Sequence, residues 1–241
     1  MTGNGRTVSP LIGVLGGMGP LATVDFLHKL VTLTPAEHDQ DHVPTVIWNV
    51  PQIPGRPDAL AGKGPSPLPA MIAGIERLNA AGSTRIVIPC NTAHAWYDDL
   101  QGASLAPILH IADATLALLP HRLTSAGLIA THGTLRSGIY QSRLEACDIL
   151  PVLPTDDEIE TLFVPGWAAV KSNALDQAGE WLEEAVSRLL DRGAERVILA
   201  CTEVPVALEH KGSRHLDLCI DPAVALAQAC IDHWTDNRPL H

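Results

Sequence analysis

The stretch IERLNAAGSTRIVIPCNT, residues 75–92, returns in altered form as VSRLLDRGAERVILACTE, residues 186–203. At an offset of 111 residues the arginines, the glycines and the cysteines of the two stretches align, so that Cys90 lies over Cys201. Each stretch reads as a helix, a glycine turn and a buried strand that ends just before the cysteine. The match predicts two similar α/β units, each with a cysteine at the carboxyl end of a strand.

A second pair of segments repeats in the same way. IGVLGGMG, residues 12–19, aligns with AGLIATHG, residues 126–133, at an offset of 114 residues that also sets Phe26 opposite Tyr140. Any two strand–loop–helix units share apolar runs and glycines, and chance similarity is the alternative. Two matching pairs at nearly the same offset favour an internal duplication.

Strands and helices alternate along the rest of the chain, which is typical of parallel sheets with helices on both faces. A Pro/Gly-rich loop at residues 51–69 is long for a compact domain and is typical of a lid or binding loop. We therefore predict an α/β fold of two pseudo-symmetric domains, with ligands bound where strands of both sheets end. The predicted elements are strands at 11–15, 44–50 and 85–89 and helices at 21–33 and 70–81.

Composition narrows the class of protein. With 46% hydrophobic and 18% charged residues, the chain is an ordinary globular protein. Its net charge of −11 argues against nucleic acid or an anionic membrane as a partner. The first ten residues, MTGNGRTVSP, lack the apolar core of a secretory signal, and no apolar run is long enough to span a bilayer. A cytoplasmic location is expected, where the five cysteines would be reduced.

Two cysteines facing each other across a cleft suit the inversion of a carbon stereocentre. One thiolate removes the proton from one face of the carbon, and the opposite thiol returns a proton to the other face. Cys90 and Cys201 each follow an apolar strand and precede a segment rich in hydroxyl and amide groups. Such groups can stabilise an anionic transition state, so the pair predicts a two-base racemase.

Other interpretations of the cysteines stay open at this point. A redox pair is usually CxxC, and a zinc site needs more ligands than Cys90 and His94. A buried cysteine of the core is the simplest alternative for any one of them. It is our prediction for Cys147, Cys219 and Cys230.

Three motifs resemble the aspartate/glutamate racemase family, most closely its aspartate racemase branch. They are GGMGPLAT at residues 16–23, PCNTAH at 89–94 and CTEVP at 201–205. The resemblance implies that residues 107–210 form a second domain inserted into a first domain of residues 1–106 and 211–241, with the active site between them. It also implies a homodimer that uses no pyridoxal phosphate, metal or nucleotide.

The resemblance assigns roles residue by residue. Cys90 and Cys201 would be the acid/base thiols, and a small acidic amino acid would be the substrate. The substrate-binding residues would be Met18, Gly19, Asn91, Thr92, Thr131, Thr134 and Thr202.

Two cations match positions where the family binds substrate. Arg56 lies in QIPGRP, where a guanidinium could hold the distal carboxylate through a bidentate fork. Here Gly55 and Pro57 flank it, whereas Asp and Thr flank it in the common family pattern. Lys171 ends the segment VPGWAAVK. For both side chains the alternative is a solvated surface cation.

His94 and Glu203 are predicted to support the cysteines. His94 could orient a neighbour or simply lie on a helix face, and Glu203 could relay protons to Cys201 or stabilise a helix start. Related reactions on the same scaffold, such as maleate isomerisation or hydantoin racemisation, and a non-catalytic protein that binds a small anion are the alternative functions.

Overall fold

Residues 10–237 are described by the computed structural model, so the prediction about a secretory signal concerns residues that lie almost wholly outside it. Within residues 10–237, seven strands form two parallel sheets, which confirms the predicted α/β class. The first sheet has the order β2-β1-β3, with β1 (Ile12–Gly16), β2 (Thr45–Asn49) and β3 (Arg85–Val87). The second has the order β5-β4-β6-β7, with β4 (Ser125–Ala130), β5 (Leu150–Val152), β6 (Arg196–Ala200) and β7 (Cys219–Ile220).

The two sheets repeat one arrangement, including its register. Ile12 of β1 pairs with Arg85 of β3, and Ala126 of β4 pairs with Arg196 of β6. These pairs are equivalent under the sequence duplication. The central strands β1 and β4 are buried along their whole length, which explains why they read as continuous apolar runs and not as alternating patterns.

Twelve helices surround the sheets within the described residues. They are α1 (Pro20–Leu33), α2 (Arg56–Leu60), α3 (Leu68–Ala80), α4 (Tyr97–Ala103), α5 (Ile111–Ala117), α6 (His132–Ser137), α7 (Gln141–Ala146), α8 (Asp156–Glu158), α9 (Val164–Lys171), α10 (Leu175–Asp191), α11 (Glu203–Lys211) and α12 (Pro222–Asn237). A π-helical turn at Ile159–Phe163 joins α8 to α9, and 3-10 turns occupy Asp39–Asp41, Thr92–Trp96 and Leu216–Leu218. None of the helices in residues 10–237 could cross a membrane, because none is long and apolar enough.

Prolines explain the main difference from the predicted elements. The stretch 51–69 contains helix α2, and α3 begins at Leu68 instead of residue 70. Pro57 and Pro69 each stand at the second position of these helices. A proline there leaves no helical hydrogen bond unmade, because the first N–H groups of a helix have no partner within it. In the sequence alone, these two prolines instead predict a loop.

The C-terminal segment contacts both halves. Strand β7 pairs with β6 in the second sheet, whereas α12 packs Leu226 and Trp234 against the first-sheet core around Phe26. Ile108 in turn bridges to Ile86 of the first sheet. The sheets are observed, while the predicted domain boundaries at residues 106 and 211 stay a prediction.

Candidate active site between the two sheets

A cleft of about 610 Å³ lies where both sheets end, since its walls include the segments directly after β1, β3, β4 and β6. Most of the predicted site residues line it. They are Met18, Gly19, Arg56, Cys90, Asn91, Thr92, Thr131, Lys171, Cys201, Thr202 and Glu203. Thr134 and His94 lie behind this lining and hydrogen-bond to it.

The thiols of Cys90 and Cys201 occupy equivalent places in the two halves. Both are free and buried, with 6% and 5% of their surface exposed. Cys201 follows β6 directly, and Cys90 lies three residues beyond the end of β3. Both cysteines line the same cleft.

Glu203 lies against the Cys201 thiol. The Cys201 Sγ donates to Glu203 Oε2 at 3.2 Å, and Thr202 Oγ1 donates to the same oxygen at 3.3 Å. Burial, followed by the Glu203 charge, raises the pKa of Cys201 well above its ordinary value. Cys201 is therefore a protonated thiol at neutral pH. Glu203 is also the first residue of α11, where a carboxylate is favoured by the helix dipole.

Three threonine hydroxyls join the two halves. Thr92 Oγ1 lies 3.1 Å from Thr131 Oγ1 and 3.0 Å from Thr134 Oγ1. Thr131 also accepts the Thr134 N–H and so caps α6. Gly133 packs closely beside them, because a Cβ at that position would lie 2.7 Å from Leu60 Cδ1 and 3.3 Å from Thr92 Cγ2. Thr92 and Thr131 thus line the cleft in fixed positions.

Asn91 offers an unused amide donor. Its Oδ1 accepts the Tyr140 hydroxyl at 2.6 Å, while its buried Nδ2 has no acceptor within residues 10–237. Leaving a buried donor unpaired costs about 1–3 kcal/mol, so such groups are uncommon and call for an explanation. Because Asn91 lines the cleft, this amide is available to donate to a bound ligand.

His94 has a neutral ring that hydrogen-bonds to two backbone groups. Its Nε2 accepts the Ile111 N–H at 3.2 Å, which leaves the ring proton on Nδ1 to be donated to the Cys90 carbonyl at 3.0 Å. Burial lowers its pKa from 6.5 to about 4. Of the two roles predicted for His94, this geometry fits the orientation of a neighbour, namely the Cys90 backbone.

The two predicted cations both line the cleft. Arg56 Nη1 donates to the carbonyls of Ile53 and Pro54, at 3.2 and 3.0 Å, whereas its buried Nε has no acceptor within residues 10–237. Lys171 Nζ lies 3.8 Å from the centre of the Trp167 ring. The Nη1 group therefore holds the loop by hydrogen bonds, whereas Nε remains available to a ligand.

Of the lining residues that were not predicted, Asp58 and Trp167 are the two with a charged or an aromatic side chain. Trp167 precedes Lys171 by four residues on α9, and this spacing on one helix face is the signal that could have revealed it. Asp58 lies in α2, which reads as loop in the sequence. Within residues 10–237 no group of three or more His, Cys, Asp or Glu side chains could hold a metal ion.

The other three cysteines lie away from the cleft. Cys230 is buried in the core and Cys219 is half-buried. The prediction of a core position was wrong for Cys147, which is exposed because it ends α7 at the turn toward β5.

Comparison with known proteins agrees with this geometry. The sequence model of the Asp/Glu/Hydantoin racemase family matches residues 15–230. A broad-specificity amino-acid racemase of Bacillus subtilis is 29% identical over 230 residues, which cover 93% of this chain and 98% of that protein.

Solved structures give the same result. The aspartate racemase of Picrophilus torridus superposes with a TM-score of 0.83 at 34% identity, covering 94% of each chain. A glutamate racemase of Francisella tularensis, solved with D-glutamate, superposes with a TM-score of 0.71 at 21% identity and covers 95% of this chain and 82% of that one. The latter shows a shared fold.

Proposed function

Since this chain belongs to the Asp/Glu/hydantoin racemase family and is an amino-acid racemase, we propose that it inverts acidic amino acids by proton transfer between Cys90 and Cys201. One observation carries the proposal: two free, buried thiols, at equivalent ends of duplicated strands, line a single cleft. A stereocentre bound between them would present opposite faces to the two sulfurs.

The proton balance of the reaction is simple. The Cys90 thiolate takes the α-proton, and the Cys201 thiol gives a proton to the opposite face, which leaves a Cys90 thiol and a Cys201 thiolate. The raised pKa of Cys201 supports its role as the acid in this direction. For the opposite enantiomer Cys201 must first lose its proton, and Glu203 Oε2 at 3.2 Å is positioned to accept it.

The negative charge that develops on the substrate needs donors. An α-proton next to a carboxylate is weakly acidic, so catalysis depends on groups that stabilise the enolate-like transition state. The Asn91 amide and the hydroxyls of Thr92, Thr131 and Thr202 line the cleft and would hold the α-carboxylate there.

The preference for an acidic side chain would come from Arg56 and Lys171. Both line the cleft, and a carboxylate bound between them would gain charge-assisted hydrogen bonds. Replacing either cation with methionine is expected to raise KM for aspartate or glutamate more than for alanine. An equal change for all three substrates would contradict this assignment. Because a relative has broad specificity, the substrate panel should include neutral and basic amino acids.

The test is α-deuterium incorporation. Each enantiomer is incubated with the enzyme in D2O and followed by proton NMR and chiral chromatography. The wild type is expected to exchange and invert at least one acidic amino acid, and Cys90→Ala and Cys201→Ala are each expected to abolish inversion while ligand binding persists. Absence of exchange with every amino acid tested would falsify the proposal.

The predicted homodimer, independence from cofactors and cytoplasmic location stay predictions. Light scattering on the purified protein would measure the oligomeric state. Racemase activity after exhaustive dialysis against a chelator would test whether a metal is needed.

A further inference from the structure

We propose that Tyr140 is a positioning residue whose hydroxyl fixes the Asn91 amide with its Nδ2 toward the substrate α-carboxylate. This inference rests on the proposed function, in which Asn91 donates to that carboxylate. Tyr140 itself does not line the cleft. It acts from the second half of the molecule on a residue that follows Cys90 in the first half.

The distances favour one hydrogen-bond arrangement for the phenol. Tyr140 is 1% exposed, and its OH lies 2.6 Å from Asn91 Oδ1 and 3.4 Å from Thr115 Oγ1. Thr115 donates its own proton to a backbone carbonyl at 2.7 Å. Between the two hydroxyls only Tyr140 could therefore be the donor, but Asn91 Oδ1 is the much nearer acceptor for the single phenol proton, at 2.6 Å against 3.4 Å. Rotating the amide by half a turn would set its NH2 against the phenol oxygen and leave the phenol proton only the Thr115 oxygen at 3.4 Å, so the short bond favours the orientation in which Nδ2 is free.

The duplication shows that the fold itself does not need this hydroxyl. Tyr140 aligns with Phe26, which is also fully buried. Asn91 aligns with Thr202, since each follows its cysteine. The half opposite Asn91 thus has a hydroxyl at this position, whereas the half opposite Thr202, which has no amide to orient, has the phenyl ring of Phe26.

The phenol also stays a donor at working pH. Burial raises the pKa of Tyr140 well above its ordinary value. The hydroxyl therefore remains protonated and can hold Asn91 throughout the range in which the enzyme would act.

A double-mutant cycle tests the inference. The values of kcat and KM are measured for wild type, Tyr140→Phe, Asn91→Ala and the double variant. Tyr140→Phe is expected to lower kcat/KM about tenfold, mainly through KM, because the amide loses its fixed orientation. In the Asn91→Ala background the same change should alter kcat/KM by less than about twofold.

Tyr97→Phe is the matched control. Tyr97 is the other of the two tyrosines in the chain, and its hydroxyl donates to the Ile108 carbonyl at 3.1 Å, away from the cleft. Its loss should leave kcat/KM within about twofold of wild type. An equal loss from Tyr140→Phe in both backgrounds would overturn the inference, because Tyr140 would then act independently of Asn91.

Asn91→Asp is a second test that keeps the hydrogen bond between residue 91 and Tyr140, so that the fold is preserved. Asn91→Asp keeps an acceptor for Tyr140 but puts a carboxylate oxygen where the free donor was. It is expected to lose more activity than Asn91→Ala, and wild-type activity in Asn91→Asp would overturn the inference. A wild type that turns over no amino acid would overturn the proposed function and this inference together, whereas additive effects in an active enzyme would overturn the inference alone.

Discussion

Replacing His94 with glutamine should remove part of the acid sensitivity of the fold. His94 hydrogen-bonds to the Cys90 carbonyl and the Ile111 N–H, and both bonds require the neutral ring with its proton on Nδ1. Glutamine has one amide donor and one acceptor for the same partners, but it does not titrate. The wild type can therefore bind a proton at this position, whereas the His94→Gln variant cannot.

The magnitude follows from the pKa. The unfolded chain protonates His94 as the pH falls through about 6.5, whereas burial holds the folded pKa at about 4. His94 thus has little effect on the free energy of unfolding above pH 6.5 and lowers that free energy as the pH falls from 6.5 to 4. Each pH unit in this window removes about 1.4 kcal/mol, or about 3 kcal/mol over the whole window.

Urea unfolding followed by circular dichroism at pH 7, 6 and 5 measures the effect. His94→Gln is expected to be the less stable protein at pH 7, with the gap to wild type narrowing by about 1 kcal/mol per pH unit below 6.5. The neighbouring His110, whose pKa burial lowers to about 3, contributes to both curves. Tyr97→Phe, which alters a ring 4.7 Å from His110, should parallel the wild type. A constant gap from pH 7 to pH 5 would refute a neutral His94.

Three other substitutions test charge, backbone geometry and ion pairing. Glu203→Gln in a Cys90→Ala background should speed alkylation of Cys201 by iodoacetamide at pH 7, because the thiol loses its proton more easily without the adjacent negative charge. An unchanged alkylation rate would contradict this explanation. Gly17→Ala should lower the free energy of unfolding by about 1–3 kcal/mol. Gly17 has a φ of 94°, and an added Cβ would lie 2.4 Å from a backbone carbon. A melting temperature equal to that of the wild type would argue against this backbone strain. Lys29→Met should cost about 3–5 kcal/mol at pH 7, because the ammonium lies 2.6 Å from each of two carboxylates. Burial raises the pKa of one of them, Asp25, so an equal loss at pH 4 would rule out an electrostatic cause.

Sequence reasoning succeeded where a pattern repeats. The duplication aligned Cys90 with Cys201, and the structure sets both thiols on one cleft at equivalent strand ends. It left a choice open where a side chain's direction decides. His94 follows Cys90 by four residues, yet the 3-10 turn points its ring away from the cleft to the α5 N-terminus. Trp167 was missed because its place in the cleft depends on the packing of α9.

The sequence by itself determined the two α/β halves and the pairing of their cysteines, because strand burial, glycine turns and the repeat are local properties of the chain. Only the tertiary structure decided which groups of the two halves contact one another. The Tyr140 hydroxyl meets Asn91 and the Thr131 hydroxyl meets Thr92, although each pair is far apart in the chain. Such contacts depend on how the two sheets face each other, which neither half specifies alone.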